Sequence, residues 1–242
     1  MGLGLRQDVH TSGIPVLCTS CEARHRGVCG ALQPDQLVAL ARASTKQHLD
    51  EGSEVVGDAE VIESYANILS GVVKLTKALP DGRQQIVGLQ FAPDFLGRPF
   101  GRESVLDVEA ATDLSLCTFP KSALERLIDE SPALEKRILG QTLRELDEAR
   151  QWMLTLGRKT ASEKVASFLL LIAQNIDPLE PDRRSASFDL PLSRADIADF
   201  LGLTIETVSR QLTKLSAERT AIVHNRHVEI PNLAKLSRVA GV

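Results

Sequence analysis

The sequence predicts an α+β protein in which a compact antiparallel β unit is followed by a helical C-terminal half. Three observations carry this reading. Between Lys46 and Phe119 the chain runs in short apolar or alternating segments separated by turn signals. After Pro132 a helical pattern holds to about Leu156. Residues 193–215 then spell two short helices joined at a glycine.

The elements follow in chain order. Leu37, Val38, Leu40 and Ala41 recur at helical spacing, and Pro34 suits a first turn, so a short helix spans 34–43. Ala66-Asn67-Ile68-Leu69, Gly71-Val72-Val73-Lys74-Leu75 and Gln85-Ile86-Val87-Gly88-Leu89 read as strands. Leu79-Pro80-Asp81-Gly82-Arg83 is a hairpin turn, because Pro presets φ and Gly accepts φ > 0. Cys117 falls in the last strand, 114–119, and the pattern turns helical after Ser122. On the long helix, Leu139, Leu146, Ala149, Met153 and Leu156 form a heptad-like seam flanked by charges, with Thr142 interrupting it. Such a seam pairs two copies into a homodimer, or lies on the β unit of its own chain. Residues 157–160 break the pattern, a helix follows over 161–174, and 177–185 is a charged, Pro-containing loop. The expected division is an arm at 1–30, a β domain at 31–131, a dimerisation helix at 132–157 and a C-terminal domain at 158–242.

With 242 residues, 43% of them hydrophobic and 25% charged, the chain has ample apolar surface for a packed core, which excludes a disordered protein. Its longest apolar run, residues 168–173, is far short of the ~20 needed to span a bilayer, and no basic stretch precedes an apolar one at the start. No membrane partner and a cytoplasmic location are expected. The net charge of −4 argues against a phosphate partner on average, but the charge is uneven. Residues 158–242 carry 12 Lys and Arg against 10 Asp and Glu, the first 157 residues 16 against 22. Only the C-terminal third suits a polyanion.

Three of the four cysteines, Cys18, Cys21 and Cys29, cluster in twelve residues; the fourth is Cys117. In a reducing compartment this pattern points to metal or redox chemistry rather than disulfides, with unremarkable free thiols as the alternative. Four thiolates suit either tetrahedral zinc or an iron-sulfur cluster. Arg24, His25 and Arg26 lie between these cysteines, where they either lower thiol pKa values or form the solvated side of a loop. No dinucleotide fingerprint, phosphate-binding lysine loop or nucleophile elbow accompanies them, so an enzyme is not expected and a redox carrier would lack a site for a second cofactor.

The most specific segment is 193–215. Ser193 caps the first helix with Asp196 as capping-box partner, Gly202 ends it and Thr204 caps the second. Ile197, Ala198, Leu201 and Leu203 meet Val208, Leu212 and Leu215 inside a helix-turn-helix. This leaves Glu206, Ser209, Arg210 and Thr213 on the opposite face of the second helix. Arginine can fork onto guanine O6 and N7, and glutamate accepts from a base amine, each good bidentate contact giving about 1–3 kcal/mol of discrimination. The alternative for Glu206 and Arg210 is a surface ion pair worth a few tenths of a kcal/mol. Residues 221–230 read as a hairpin wing with Arg226 near its tip, set to touch phosphate; His224 and His227 beside it are poor metal ligands.

With these residues in hand, the chain resembles the CRP/FNR superfamily of bacterial transcription regulators, and within it the FNR type. The resemblance rests on the cysteine group, the late fourth cysteine, the seam helix and the run from Gly202 to Arg210. It implies a cyclic-nucleotide-binding-like β-roll, a winged helix, and an oxygen-labile four-iron four-sulfur (4Fe-4S) cluster on Cys18, Cys21, Cys29 and Cys117. It also implies that Glu206, Ser209 and Arg210 read TTGAT-type half-sites of double-stranded DNA, and that RNA polymerase is contacted by turns such as 80–83 and 93–98. Three features depart from the family pattern. Seven residues separate the second and third cysteines, a spacing similar to the FnrL-like subgroup. Gly97-Arg98 and Ser104-Val105 replace the Gly-Glu and Arg-Ser of cAMP-binding members, so no cyclic nucleotide is expected. Ala149 stands where some members carry an acidic residue that keeps the cluster-free form monomeric. The implied switch, in which cluster loss frees the arm, needs about 5.5 kcal/mol of differential binding to move from 1:99 to 99:1.

Overall fold

The computed structural model describes residue 18 and residues 21–176 and 183–242. The β domain is two facing four-stranded antiparallel sheets. The strands are β1 (Thr45–Leu49), β2 (Glu54–Val56), β3 (Ser64–Ser70), β4 (Val72–Ala78), β5 (Gln84–Phe91), β6 (Phe95–Leu96), β7 (Asp107–Ala110) and β8 (Leu114–Pro120). One sheet has the order β1-β8-β3-β6 and the other β2-β7-β4-β5, a roll in which neighbours in space, the β4–β5 hairpin apart, are distant in sequence. Ile68, Val73, Ala110, Leu114 and Leu116 fill the space between the sheets. The β4–β5 hairpin closes through Leu79 N–H donating to the Arg83 carbonyl at 2.7 Å, with Gly82 at φ +84°.

Helices close both ends of the roll. The N-terminal segment supplies α1 (Glu22–His25), a 3-10 turn (Val28–Ala31) and α2 (Pro34–Ala43). After β8 come α3 (Lys121–Glu130) and the 27-residue α4 (Pro132–Arg158), whose Ser131 cap accepts from the Leu134 N–H. A second core joins these pieces: Val28 of the arm, Leu40 of α2, Tyr65, Phe95 and Phe119 of the roll, Leu124 and Leu127 of α3 and Leu134 of α4 are all buried together. The arm is therefore packed where it is described, not a free tether. Val28 and Ala23 are each 1% exposed.

The C-terminal domain is built on α5 (Ala161–Ile176), two residues longer than the apolar pattern suggested, with Val165, Phe168, Leu169 and Ile172 inaccessible. The helix-turn-helix is α6 (Arg194–Leu201) and α7 (Ile205–Ala217). Two elements were not foreseen. Strand β9 (Ala186–Asp189) directly follows the stretch read as loop, where no element was assigned, and pairs with β11 (His227–Ile230), itself paired with β10 (Ile222–His224), so the wing is a three-stranded sheet. Helix α8 (Leu233–Ala240) ends the chain and docks Leu236 and Ala240 into the domain core. Residues 177–182 of the expected loop lie outside the described residues. No helix among the described residues is long and apolar enough to cross a membrane.

Gly202 joins α6 to α7 at φ +59°, ψ +45°, and nothing lies within 4 Å of where its Cβ would stand. The cost of a side chain there is purely conformational. Gly202→Val is expected to destabilise the protein by about 1–2 kcal/mol, and Gly202→Asn by much less, as read by urea unfolding midpoints.

Candidate ligand cavity and nucleic-acid interface

All four cysteines line one cavity of about 210 Å³. The register of the first sheet makes this possible. Cys117 on β8 stands opposite Lys46 of β1 on one side and Asn67 of β3 on the other, which carries it beneath α1 and the 3-10 turn that present Cys21 and Cys29. Asn67, 1% exposed, donates from Nδ2 to the Cys29 Sγ at 3.2 Å. Two buried polar atoms on the cavity wall have no partner, the Asn67 Oδ1 and the Arg24 Nη1. A buried guanidinium nitrogen without an acceptor is costly unless an anion is meant to meet it.

Cys29, Cys117 and Cys18 do not behave as the flanking charges suggested. Burial pushes the Cys29 thiol up to about 12, against a smaller opposing effect of the Asn67 hydrogen bond. Burial also raises Cys117, partly offset by Ser44, and raises Cys18, where the neighbouring thiols Cys21 and Cys117 add to it and Arg24 only weakly opposes. Desolvation of the thiolate outweighs the nearby arginine. Among the described residues no three His, Cys, Asp or Glu side chains converge on a single ion. At ~30 Å³ per water the cavity has room for about seven waters, the scale of a multi-atom group.

Helix α4 bounds this region from outside. Arg137 donates from Nε to the Gly27 carbonyl at 3.2 Å and from Nη2 to the Arg26 carbonyl, both in the loop between Cys21 and Cys29. On its other face the seam residues are uncovered: Leu139 is 57%, Leu146 44% and Met153 73% exposed, with Ala149 exposed and Leu156 half-buried. Leu143 and Leu154, which the seam reading passed over, add to the same exposed apolar surface.

Within the roll a second cavity of about 240 Å³ is lined by Tyr65, Leu75, Leu96, Leu106 and Val108, with Gly97, Arg98, Ser104 and Val105 at its wall. Its one lining cation, Arg98, is exposed, and the Glu145 carboxyl of α4 shares the space. Burial raises that carboxyl's pKa.

At the other end of the molecule the helix-turn-helix has the local chemistry its sequence predicts. Ser193 Oγ accepts from the Asp196 N–H at 3.1 Å while Asp196 Oδ2 accepts from the Ser193 N–H at 3.2 Å. Thr204 Oγ1 accepts from the Thr207 N–H at 3.2 Å and is thereby engaged as a cap. Val208, Leu212 and Leu215 are buried, and Glu206, Ser209, Arg210 and Thr213 are exposed along one face of α7. The first-turn backbone N–H of Glu206 holds its carboxylate below the usual range. Arg226 is at the wing turn, but its Nη1 is paired with Glu51 of the roll at 3.1 Å and its Nε and Nη2 donate to the Leu190 carbonyl. An exposed pair of this kind is worth at most about 1 kcal/mol, so it is easily exchanged for a phosphate.

Residues 46–131 match the cyclic nucleotide-binding domain family and residues 163–239 the Crp-like helix-turn-helix domain family. A "probable transcriptional activator" of Rhizobium leguminosarum bv. viciae is 54% identical over 97% of both chains. The chain belongs to the CRP/FNR family of DNA-binding transcription regulators. The transcriptional activator protein FnrL of Cereibacter sphaeroides is 41% identical, covering 93% of this chain and 92% of that one. The solved structure of FixK2 from Bradyrhizobium japonicum, 32% identical, superposes with a TM-score of 0.73 over 81% of this chain and 96% of the other.

Asp196 offers a test of the helix-turn-helix chemistry. Burial pushes its carboxyl up, but hydrogen bonds from Ser193 and Lys74 outweigh this and hold it below the usual carboxylate value. A depressed carboxyl stabilises the fold above its unfolded pKa, near ~3.9, and loses that contribution as pH falls through its lower folded value. Asp196→Asn is expected to lower the urea midpoint at pH 5, and the gap from wild type is expected to close as pH drops below about 3.9.

Proposed function

We propose that this regulator activates transcription from palindromic TTGAT-type DNA sites as a homodimer, and that its DNA binding responds to oxygen through a 4Fe-4S cluster held by Cys18, Cys21, Cys29 and Cys117. The observation that carries the cluster reading is the single cavity lined by all four thiols, with the Arg24 Nη1 unpaired on its wall. Four thiolates around an iron-sulfur core carry net negative charge, which the arginine and the Asn67 amide are placed to offset. A group spanning the cavity also fits thiols that do not converge on one ion better than a lone zinc does. When bound, such a cluster supplies an oxygen-labile crosslink between the arm and β8.

The chain's own residues do the rest. Arg137 reads the position of the arm: its guanidinium has the Arg26 and Gly27 carbonyls as acceptors only while the loop between Cys21 and Cys29 is closed. The uncovered face of α4 pairs with a second copy through Leu139, Leu146, Ala149, Met153 and Leu156, with Leu143 beside them. On α7, Arg210 forks onto guanine, Glu206 accepts from a base amine, and Ser209 and Thr213 hold base or phosphate. Thr204 sits at the helix start, where backbone N–H groups favour phosphate. Arg226 reaches phosphate when it leaves Glu51. A cyclic nucleotide is not the effector, since the roll cavity is largely apolar, shares its wall with Glu145 and has only an exposed arginine as cation. The exposed turn at 80–83, where Arg83 pairs with Asp81 at 2.8 Å, is the surface offered to RNA polymerase. The 93–98 turn contributes less, because its Phe95 and Leu96 are buried.

Protein purified without oxygen is expected to show a broad visible band near ~400 nm that bleaches in air, with iron and sulfide in equal amounts. Arg210→Ala is expected to abolish specific binding with cluster content unchanged. A colourless zinc protein removes the oxygen sensor and leaves the regulator. Because the seam carries no acidic residue at Ala149, the cluster-free protein is expected to stay partly dimeric; sedimentation at micromolar concentration showing monomer alone contradicts this.

A further inference from the structure

Helix α6 makes no base contact on the proposed reading, yet it is held at both ends at the boundary between the two domains. At its N-terminal end Asp196 pairs with Lys74 of β4 at 3.1 Å, and the same Lys74 pairs with Glu109 of β7 at 2.8 Å. The Lys74 side chain is only 15% exposed, which separates this contact from the open Arg226–Glu51 pair. At the C-terminal end, the last four carbonyls of a helix lack intrahelical donors. Here each finds one. The Ala198 carbonyl accepts from the Gly202 and Leu203 N–H groups, and the Leu201 carbonyl from Lys164 of α5. The Asp199 and Phe200 carbonyls accept from the Gln85 side chain of β5, at 2.6 and 3.1 Å. Gln84 adds a bond to the Asp199 carboxylate at 2.8 Å. On a further side the Phe200 ring packs on Trp152 of α4, with centroids 4.5 Å apart.

We infer that Lys74 and Gln85 are positioning residues for DNA reading: by gripping α6 at both ends, the β4–β5 hairpin sets the orientation of the reading helix relative to the dimerisation helix. The grip leaves the reading face free, since Glu206, Ser209, Arg210 and Thr213 remain exposed while α6 is held. An inhibitory contact would cover that face. Because α6 and α7 share the core of Ile197, Leu201, Val208 and Leu212, fixing one fixes the other. In a homodimer the second half-site is engaged intramolecularly, at an effective concentration set by how well the two reading helices are held in register. Loosening the grip therefore weakens binding to a palindrome and spares binding to a single half-site.

This inference rests on the proposed reading of TTGAT-type palindromes by a homodimer, and its test separates the two. Full-length wild type, K74A/Q85A and K74R are titrated onto a TTGAT-type palindrome, a DNA with one half-site and a scrambled duplex, with hydrogen exchange of the DNA-free proteins in parallel. K74A/Q85A is expected to lose about tenfold in affinity for the palindrome, to bind the half-site as wild type does, and to exchange faster over residues 84–91 and 194–203; K74R stays near wild type. A rise in palindrome affinity, an equal fall on both DNAs, or unchanged exchange overturns the inference. Wild type that does not distinguish the palindrome from scrambled DNA overturns the proposed site, while the exchange data still decide whether the hairpin grips α6.

Discussion

Burial of Leu134 against the roll fixes how helix α4 leaves the β domain, and the arm, an exposed apolar face and the helix-turn-helix all meet along that helix. Leu134 is inaccessible, packed with Val28 of the arm and with Phe95, Phe119 and Leu124. One turn further on, Arg137 reaches the arm's carbonyls; beyond it Gln141 donates to the Phe95 carbonyl at 3.2 Å and to Glu145 at 2.8 Å. Near the far end Trp152 meets Phe200. The face left over is the apolar strip from Leu139 to Met153. A helix buried on one side to fix its direction and bare on the other to meet a copy of itself is what a fixed spacing between two reading helices requires.

The parts of the fold that were legible in the sequence are those whose signals are local. Ser193, Asp196, Gly202 and Thr204 act within four residues of their partners, so caps and turn could be read directly and occur as read. Strand β9 was not legible, because its four residues follow a charged, Pro-containing stretch and become a strand only by pairing with β11, some forty residues later. Helix α8 carried a readable start in Asn232 and apolar spacing at Leu233, Leu236 and Ala240, but eight residues do not hold a helix alone. Docking on α5 supplies what propensity lacks.

The candidate site divides in the same way. The spacing of Cys18, Cys21 and Cys29 announced a thiol site, whereas the approach of Cys117 depends on the β1-β8-β3 register, which no local pattern encodes. Asn67 and the cavity-facing Arg24 nitrogen were not assigned to the site for the same reason: one is a polar residue in a strand far from the cysteine run, the other one of three charges between the cysteines whose burial depends on the fold. The thiol acidity was misjudged because proximity in sequence to Arg24, His25 and Arg26 says nothing of burial, and burial is the larger effect at Cys29. An Asn in the middle of an apolar strand was the one available clue. A buried amide needs partners, and one of them is a sulfur.

The charge distribution then says what kind of DNA binder this is. The chain is acidic overall, and several cations that might have made a phosphate-binding surface are engaged within the molecule: Lys74 with Glu109 and Asp196, Arg226 with Glu51, Lys164 and Lys159 with the Leu201 and Ala240 carbonyls. Non-specific attraction to a polyanion grows with the number of phosphates neutralised. With 12 Lys and Arg against 10 Asp and Glu in residues 158–242, that attraction is modest, and on the proposed reading specific binding leans on base contacts and on the pairing of two half-sites. Both depend on geometry rather than on net charge. On that reading the contacts of Lys74, Gln84 and Gln85 with α6 matter because they orient a helix that makes no base contact of its own. On the proposed reading, the angle at which Arg210 and Glu206 are presented decides whether two short half-sites add up to one specific site.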